Sequence, residues 1–302
     1  MGNNLTQLEK NHSHQLLLHA VFAKRTVPKS EFDQEHIEAL LKDAFKNGSI
    51  QEPVYGQDQY VAHESLARPI DNDGKRYSIS NISNLFYEKG LGVQFDTVTS
   101  SMGMKCAENK PITLNISVQS ALNPEFFDGI KTRMEKNGLN PEDIIFEILE
   151  HDVDPKANVE HLQALKNEGF RFALDDFSIS LKDKTVSKEN MNRVAAFGHI
   201  ADFAKIDGPI VRALFEETYA TQNRHGKNKT YTNLDFEITL HMIEASLPNA
   251  QIIAERVYNT KEANILFEKG ITGVQGWDLK PEDFYYTPEA QSKIEPPAPE
   301  VL

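Results

Sequence analysis

The sequence predicts an α/β fold of the TIM-like (β/α)8 barrel type. Short runs rich in Ile, Phe and Val alternate with helical stretches through most of the 302 residues, which is typical of a parallel sheet covered by helices. At least six such units fit into about 250 residues, and this density favours a barrel over a two-domain doubly wound protein.

The predicted strands are too short and too rich in β-branched and aromatic residues to be helices. They cover residues 112–117, 144–149, 170–174, 203–206, 251–254 and 271–274. The best-marked helices between them are predicted over 125–137, 155–167 and 260–269. Asn123 and Pro124 precede the first of these helices, and Gly138, Gly169 and Gly270 follow the three in turn, as start and stop signals do.

Both ends of the chain are predicted to lie outside the barrel. Residues 1–35 are polar and without a clear period, and we expect an arm or an extra helix there. Residues 36–290 form the predicted barrel, and residues 291–302 form a Pro-rich, acidic, solvated tail. Two polar insertions interrupt the barrel, around 182–192 and at 221–232. The second is predicted as an exposed loop, either a tolerated surface insertion or a partner-binding loop.

Composition excludes several classes of protein. Asp and Glu outnumber Lys and Arg by 45 to 32, for a formal charge of −13, so we expect no duplex nucleic acid as partner. No apolar run approaches the roughly 18 residues of a spanning helix, and the apolar stretch 16–23 lacks the flanks of a signal peptide. We therefore expect no membrane partner. A single cysteine, Cys106, excludes an intramolecular disulfide and is expected to be buried.

Polar side chains lie within or just after the predicted strands. Buried parallel strands are normally apolar, and an acid in one is unfavourable unless it is paired or binds a cation. Because strand ends converge on one face of a barrel, these side chains are expected to meet there. Taken singly, each is more simply a strand-end cap or a salt-bridge partner, and only their joint occurrence predicts a site. They are Asn115, Glu147, Asp175, Asp176, Lys205, Asp207, Glu255 and Gln275.

This donor set predicts hard divalent cations. Carboxylate and amide oxygens without His or Cys suit Mg²⁺, Mn²⁺ or Ca²⁺ rather than zinc or copper. The adjacent acids Asp175 and Asp176 cannot both stay ionised cheaply without positive charge between them. A pair of cations there would suit hydrolysis of a phosphate ester. Lys205 is the candidate to orient or deprotonate the attacking water, or to neutralise developing charge.

Seven short motifs occur in order on the predicted elements. They are Glu64-Ser65-Leu66-Ala67-Arg68, Asn115-Ile116-Ser117, Glu147-Ile148-Leu149-Glu150, Asp175-Asp176-Phe177, Lys205-Ile206-Asp207, Ala254-Glu255-Arg256-Val257 and Gln275-Gly276-Trp277. In that order they resemble the motifs EALLR, NxS, ExxE, DDF, KID, AEGV and QGY or QGF of the EAL family of cyclic di-GMP phosphodiesterases. No single tripeptide is specific, but the ordered set is. The resemblance extends from about residue 35 to residue 288.

The resemblance implies a barrel with one strand reversed, acting in the bacterial cytoplasm. It implies hydrolysis of cyclic di-GMP to linear pGpG with Mg²⁺ or Mn²⁺, generally inhibited by Ca²⁺, and it allows a homodimer. The implied metal ligands are Glu64, Asn115, Glu147 and Asp175 for one ion, and Asp175, Asp176 and Glu255 for a second. The implied catalytic residues are Lys205, as the candidate base, Gln275 and Glu255. Arg68 would contact a substrate phosphate. Glu150 would anchor the loop after Asp176.

Departures from the family pattern, together with the two insertions, favour a second hypothesis, a non-hydrolytic receptor or a protein-interaction module on the same scaffold. The glycine-rich DFGTG loop is here residues 176–180, DFSIS, and the second Glu of AEGVE is Tyr258. Retention of Lys205 and of every metal-type ligand favours the enzyme. Trp277 is expected either in the core or as a stacking platform for a guanine base, and the second reading makes it a substrate-binding residue.

Overall fold

The computed structural model describes residues 49–57, 60–67, 79, 83, 86–87, 90–107, 110–149, 153–177, 179–180, 185–186, 188–216, 218–222 and 228–280. The predicted arm and tail lie outside these residues, so the domain limits at 35 and 290 stay predictions. Among the described residues, no helix combines the length and the apolar character needed to cross a bilayer.

Eight strands close into a barrel in the order β1-β12-β11-β8-β5-β4-β3-β2. The strand β1 is antiparallel to both of its neighbours, whereas the remaining neighbours pair in parallel. This confirms the predicted barrel and its one reversed strand. The barrel strands are β1 (Ser49–Gly56), β2 (Tyr60–Ala67), β3 (Ile112–Ile116), β4 (Ile144–Ile148), β5 (Arg171–Phe177), β8 (Phe203–Ile206), β11 (Gln251–Ala254) and β12 (Gly273–Gln275).

Helices cover the outside of this barrel. They are α1 (Gly92–Cys106), α2 (Val118–Ala121), α3 (Pro124–Lys136), α4 (Glu160–Asn167), α5 (Lys188–Phe197), α6 (Gly208–Phe215), α7 (Asn233–Ser246) and α8 (Thr260–Glu268). Their apolar faces and the outward faces of the strands form one core, with Phe126, Phe127 and Phe146 stacked edge to face within it. A second, smaller apolar cluster fills the inside of the barrel, with Ala62 and Ile145 among its members.

Three local expectations, two about where elements begin and one about Cys106, need correction. The helix predicted over 155–167 begins at Glu160, because the Asp154 side chain accepts a hydrogen bond from Lys156 N and holds a turn before it. The last barrel strand begins at Gly273 rather than at 271, because Ile271 N still donates to Leu266 O at the end of α8. Cys106 is exposed.

The predicted loop at 221–232 is also wrong, because its ends form a β-hairpin. The strands β9 (Thr218–Gln222) and β10 (Asn228–Thr232) pair antiparallel, and Tyr231 is buried. The earlier insertion is a shorter hairpin, with β6 (Ile179–Ser180) and β7 (Thr185–Val186) paired, and it runs into α5.

Candidate active site

The polar residues meet because they share the inward face of the barrel with an apolar layer beneath them. Successive side chains on a strand alternate between faces, so residues two apart point the same way. On four strands the inner apolar cluster supplies the lower residue of such a pair, and the predicted polar residue is the upper one. These pairs are Ala62 and Glu64, Ile145 and Glu147, Ala173 and Asp175, and Phe203 and Lys205.

Lys205 lies at the centre of this upper layer. Its Nζ is 3.0 Å from Glu64 Oε2, 3.0 Å from Glu147 Oε2 and 2.8 Å from Glu255 Oε1. Asp175 Oδ1 is 3.4 Å away. The side chain of Lys205 is only 1% exposed, so these ion pairs are shielded from water. Four strands thus deliver carboxylates to a single ammonium group.

Two amides complete the surroundings of Glu64. Asn115 Nδ2 donates to Glu64 Oε1 at 2.8 Å, and Gln275 Nε2 donates to Glu64 Oε2 at 2.6 Å. Glu64 therefore contacts groups from β3, β8 and β12 while it belongs to β2. This one carboxylate links strands on both sides of the reversed strand β1.

A second acidic group lies at the edge of the same site. Asp175, Asp176 and Glu255 each offer a carboxylate oxygen, and these oxygens lie within 4.8 Å of one another. Asp176 has a φ of +49°, a left-handed conformation that is uncommon for a residue with a side chain. The chain turns there at the end of β5, and the turn brings Asp176 into the acidic group.

The donor set fits a divalent cation. Glu147 Oε1 and Gln275 Oε1 are buried in this layer, and neither accepts a hydrogen bond from the part of the chain that the structure describes. A buried acceptor without a donor is unfavourable, and a cation would satisfy such an oxygen. Together with the three carboxylates around Asp176, these oxygens are the hard ligands that Mg²⁺, Mn²⁺ and Ca²⁺ prefer.

Crowding of the carboxylates changes their protonation. Burial raises the pKa of Glu255 to about 8, with Lys205 opposing the shift and Asp175 adding to it. Burial also raises the pKa of Glu147 well above its ordinary value, and the charge of Glu64 adds to the effect. Burial acts on Glu64 in the same direction, but Lys205, Gln275 and Asn115 outweigh it and lower its pKa.

Lys205 itself stays protonated in this environment. Burial alone would lower the pKa of its ammonium group, but the four surrounding carboxylates raise it well above its ordinary value. In this arrangement Lys205 is a hydrogen-bond donor. The base role of Lys205 stays a prediction.

Two supporting residues were not among the predicted ones. Asp96, on α1, is fully buried, and accepts hydrogen bonds from Ser117 N, Ser117 Oγ, Ser120 Oγ and Tyr87 OH. It thereby fixes the turn that follows Asn115. The signal in the sequence is an acid between Phe95 and Val98, two apolar residues of the same helix.

The second is Arg212, on α6, which supports the segment after Glu255. Its guanidinium pairs with Glu262 Oε2 at 2.7 Å and lies 3.9 Å from the centroid of the Tyr258 ring. Tyr258 and Trp277 are 45% and 60% exposed. The expectation that Trp277 packs in the core is therefore wrong. The preceding residue, Gly276, lies so close to Val257 that a β-carbon there would overlap the backbone of Val257.

The structure brings together eight of the predicted site residues, and two fall outside the described residues. Those two are Arg68 and Glu150. Asp207 follows β8 at the same face of the barrel, where its backbone amide donates to Phe177 O. The eight are Glu64, Asn115, Glu147, Asp175, Asp176, Lys205, Glu255 and Gln275.

The fold and the site together define a TIM-like barrel protein whose mouth carries a cluster of carboxylates and amides, the side-chain types that bind divalent cations. A family model described as the EAL domain matches residues 44–221. The chain belongs to the EAL domain family.

Several solved structures share the fold. The PaMucR phosphodiesterase in complex with c-di-GMP has a TM-score of 0.60 at 18% identity, over 80% of this chain and 95% of that one. The FimX EAL domain from Pseudomonas aeruginosa bound to c-di-GMP has a TM-score of 0.59 at 21% identity, over 81% and 95%. Klebsiella pneumoniae BlrP1 with manganese and cyclic di-GMP has a TM-score of 0.54 at 16% identity, over 76% and 54%.

Proposed function

We propose that this chain hydrolyses cyclic di-GMP to linear pGpG with the help of divalent cations, as part of bacterial second-messenger signalling in the cytoplasm. The observation that carries the proposal is the ring of carboxylates around Lys205, which lies at the mouth of the barrel where such enzymes build their sites. The c-di-GMP complexes of structural relatives support the choice of ligand.

The residues that would hold the cations are those of the two acidic groups. Glu64, Asn115, Glu147 and Asp175 would hold one Mg²⁺ or Mn²⁺, and Asp175, Asp176 and Glu255 the second. Bound cations supply positive charge at the phosphate and lower the pKa of coordinated water. The manganese and calcium complexes of BlrP1 support divalent cations in this fold.

The remaining residues would orient the substrate and the water. Lys205, as an ammonium group, donates hydrogen bonds to the attacking water or to a phosphoryl oxygen, where it offsets developing negative charge. Gln275 donates through Nε2 and would help to position the same water. Arg68 would bind a substrate phosphate with its guanidinium, Glu150 would anchor the loop after Asp176, and Trp277, exposed at the mouth, would stack on a guanine base.

The test is turnover of cyclic di-GMP by the purified protein, followed by chromatography with Mg²⁺, Mn²⁺ or Ca²⁺. We expect pGpG with the first two ions and inhibition with Ca²⁺. Glu64→Gln should abolish turnover because it removes a ligand charge and leaves the shape of the side chain. Glu135→Gln, at an exposed position of α3, is the matched control and should keep full activity. Absence of pGpG with either activating ion would overturn the enzymatic proposal.

A second candidate is a receptor that binds cyclic di-GMP without cleaving it. The observation that favours it is the β6–β7 hairpin, which takes the place of a glycine-rich loop directly after the ligand Asp176. Calorimetry separates the two functions: binding with no turnover supports the receptor. No binding with or without metal would leave a protein-interaction role.

The expected homodimer is a separate prediction, and gel filtration with multi-angle light scattering would test it.

A further inference from the structure

Arg256 holds a strained backbone conformation directly beside a predicted ligand. It follows Glu255 at the end of β11, it is exposed, and its φ is +53°. A residue with a side chain rarely adopts this left-handed conformation, and it persists only where the surroundings over-determine it. Such strain is concentrated at functional sites.

Hydrogen bonds and an ion pair made by the buried Arg212 hold that conformation. Arg212 Nη1 donates to the carbonyl oxygen of Arg256 at 3.3 Å, and the guanidinium of Arg212 stacks on the Tyr258 ring. Glu262 Oε2 accepts hydrogen bonds both from Arg212 Nη1 at 2.7 Å and from Tyr258 N at 2.9 Å. The backbone on the C-terminal side of Arg256 is therefore tied to α6 and α8.

The side chain of Arg256 extends toward the segment that follows β8. It runs over Gly208, where any β-carbon would collide with Arg256 Cδ and lie 2.7 Å from its Nε. Gly208 comes two residues after β8, the strand that carries Lys205, and β8 is the barrel neighbour of β11. Gly208 thus leaves the space through which the arginine reaches the adjoining strand end.

The guanidinium of Arg256 has no anionic partner in the part of the chain that the structure describes. It nevertheless lies at the edge of a strongly acidic site, in a protein whose formal charge is −13. A cyclic dinucleotide carries two phosphates, so it approaches this mouth against repulsion. A guanidinium is suited to phosphate because its planar donors match the phosphate oxygens.

We propose that Arg256 is a substrate-binding residue that donates to a phosphate oxygen of the dinucleotide, with Arg212 as the positioning residue that holds it there. The proposal rests on the proposed function, because cyclic di-GMP must be the ligand. It accounts for the strain at Arg256, the Arg212 contacts behind it and the glycine beneath it. The phosphate supplies a negative partner, which the guanidinium lacks among the described residues.

The test measures cyclic di-GMP affinity by calorimetry in Ca²⁺, which is expected to prevent turnover. Arg256→Gly removes the guanidinium, and glycine accepts the left-handed backbone without steric strain, so the fold is retained. We expect binding about tenfold weaker than wild type, the order expected for one lost charge-assisted hydrogen bond. Arg256→Lys should keep part of the affinity. Lys136→Ala removes an exposed positive charge at the far end of α3 and should bind like wild type.

The salt dependence of the affinity shows whether Arg256 contacts the ligand through the charge of a phosphate. Raising the salt from about 0.05 M to about 0.5 M screens exposed charges, so the gap between wild type and Arg256→Gly should narrow. Two results would overturn this inference and leave the proposed function standing. One is an affinity difference that does not change with salt, and the other is an Arg256→Gly affinity within twofold of wild type. Failure of the wild-type protein to bind would overturn the proposed function and this inference with it.

Discussion

Replacing Lys205 by methionine tests the electrostatic balance of the site most directly. Methionine fills a similar volume without charge, so four buried carboxylates would face one another without the ammonium group that now lies 2.8–3.4 Å from them. Breaking a buried ion pair by removing one partner costs about 3–5 kcal/mol. At about 2–4 °C per kcal/mol for a domain of this size, we expect the melting temperature in EDTA to fall by about 10 °C.

Divalent cations should reverse most of that loss. A cation that binds only the folded state at about one hundred times its dissociation constant stabilises the fold by about 2.7 kcal/mol. The stabilisation by Mg²⁺ or Mn²⁺ should be larger in Lys205→Met than in wild type, because the carboxylates have lost their competing partner. Acid should also reduce the difference in melting temperature between wild type and Lys205→Met. Burial raises the pKa of Glu255 to about 8 and the pKa of Glu147 well above its ordinary value, so both carboxyl groups take up protons more readily than exposed ones as the pH falls.

The assay is differential scanning fluorimetry of both proteins in EDTA and in each cation, at a series of pH values. Lys136→Met, at an exposed position on the outer surface, is the control and should melt like wild type under every condition. An unchanged melting temperature of Lys205→Met in EDTA would refute the electrostatic reasoning. Equal stabilisation of both proteins by the cations would contradict the assignment of these carboxylates as ligands.

Three further substitutions test how buried residues around the site contribute to the stability of the fold. Burial lowers the pKa of His63 to about 4 from its ordinary value of 6.5, so the folded state loses stability as the pH falls from 6.5 to 4. Between pH 6.5 and pH 4 the unfolding free energy of His63→Gln, measured in urea, should fall by about 3 kcal/mol less than that of wild type. An equal fall in both proteins would contradict this. Asp96→Ala should lower the unfolding free energy by about 3 kcal/mol, because the donors of Ser117 lose their buried acceptor; Asp96→Asn should lose less, and an unchanged value would refute the role. Gly276→Ala should destabilise by at least about 1–3 kcal/mol, since a β-carbon would overlap Val257 O; a wild-type melting curve would show that this contact can relax.

The barrel was accessible from the sequence because its strands and helices are encoded locally. The apolar runs at 203–206 and 251–254 coincide with β8 and β11, and Asn123 begins α3 as a capping residue. The strands β1 and β2 do not stand out as apolar runs, because β1 contains Glu52 and Pro53 and β2 contains His63 and Glu64. Glu64 entered the predicted site through the family motif, and the reversal of one strand came from the same resemblance.

Which polar residues contact one another depended on barrel closure. The pair of Lys205 and Glu64 joins positions 141 residues apart, and that of Gln275 and Glu64 joins positions 211 apart. No local pattern specifies such distances, since they follow from strand order and register across the closed sheet. The same holds for the exposure of Trp277 and for the contact of Arg212 with Tyr258. Residue type and spacing along the chain determined that acidic and amide side chains would gather at the strand ends, whereas closure of the barrel determined that Lys205 lies at the centre of that cluster.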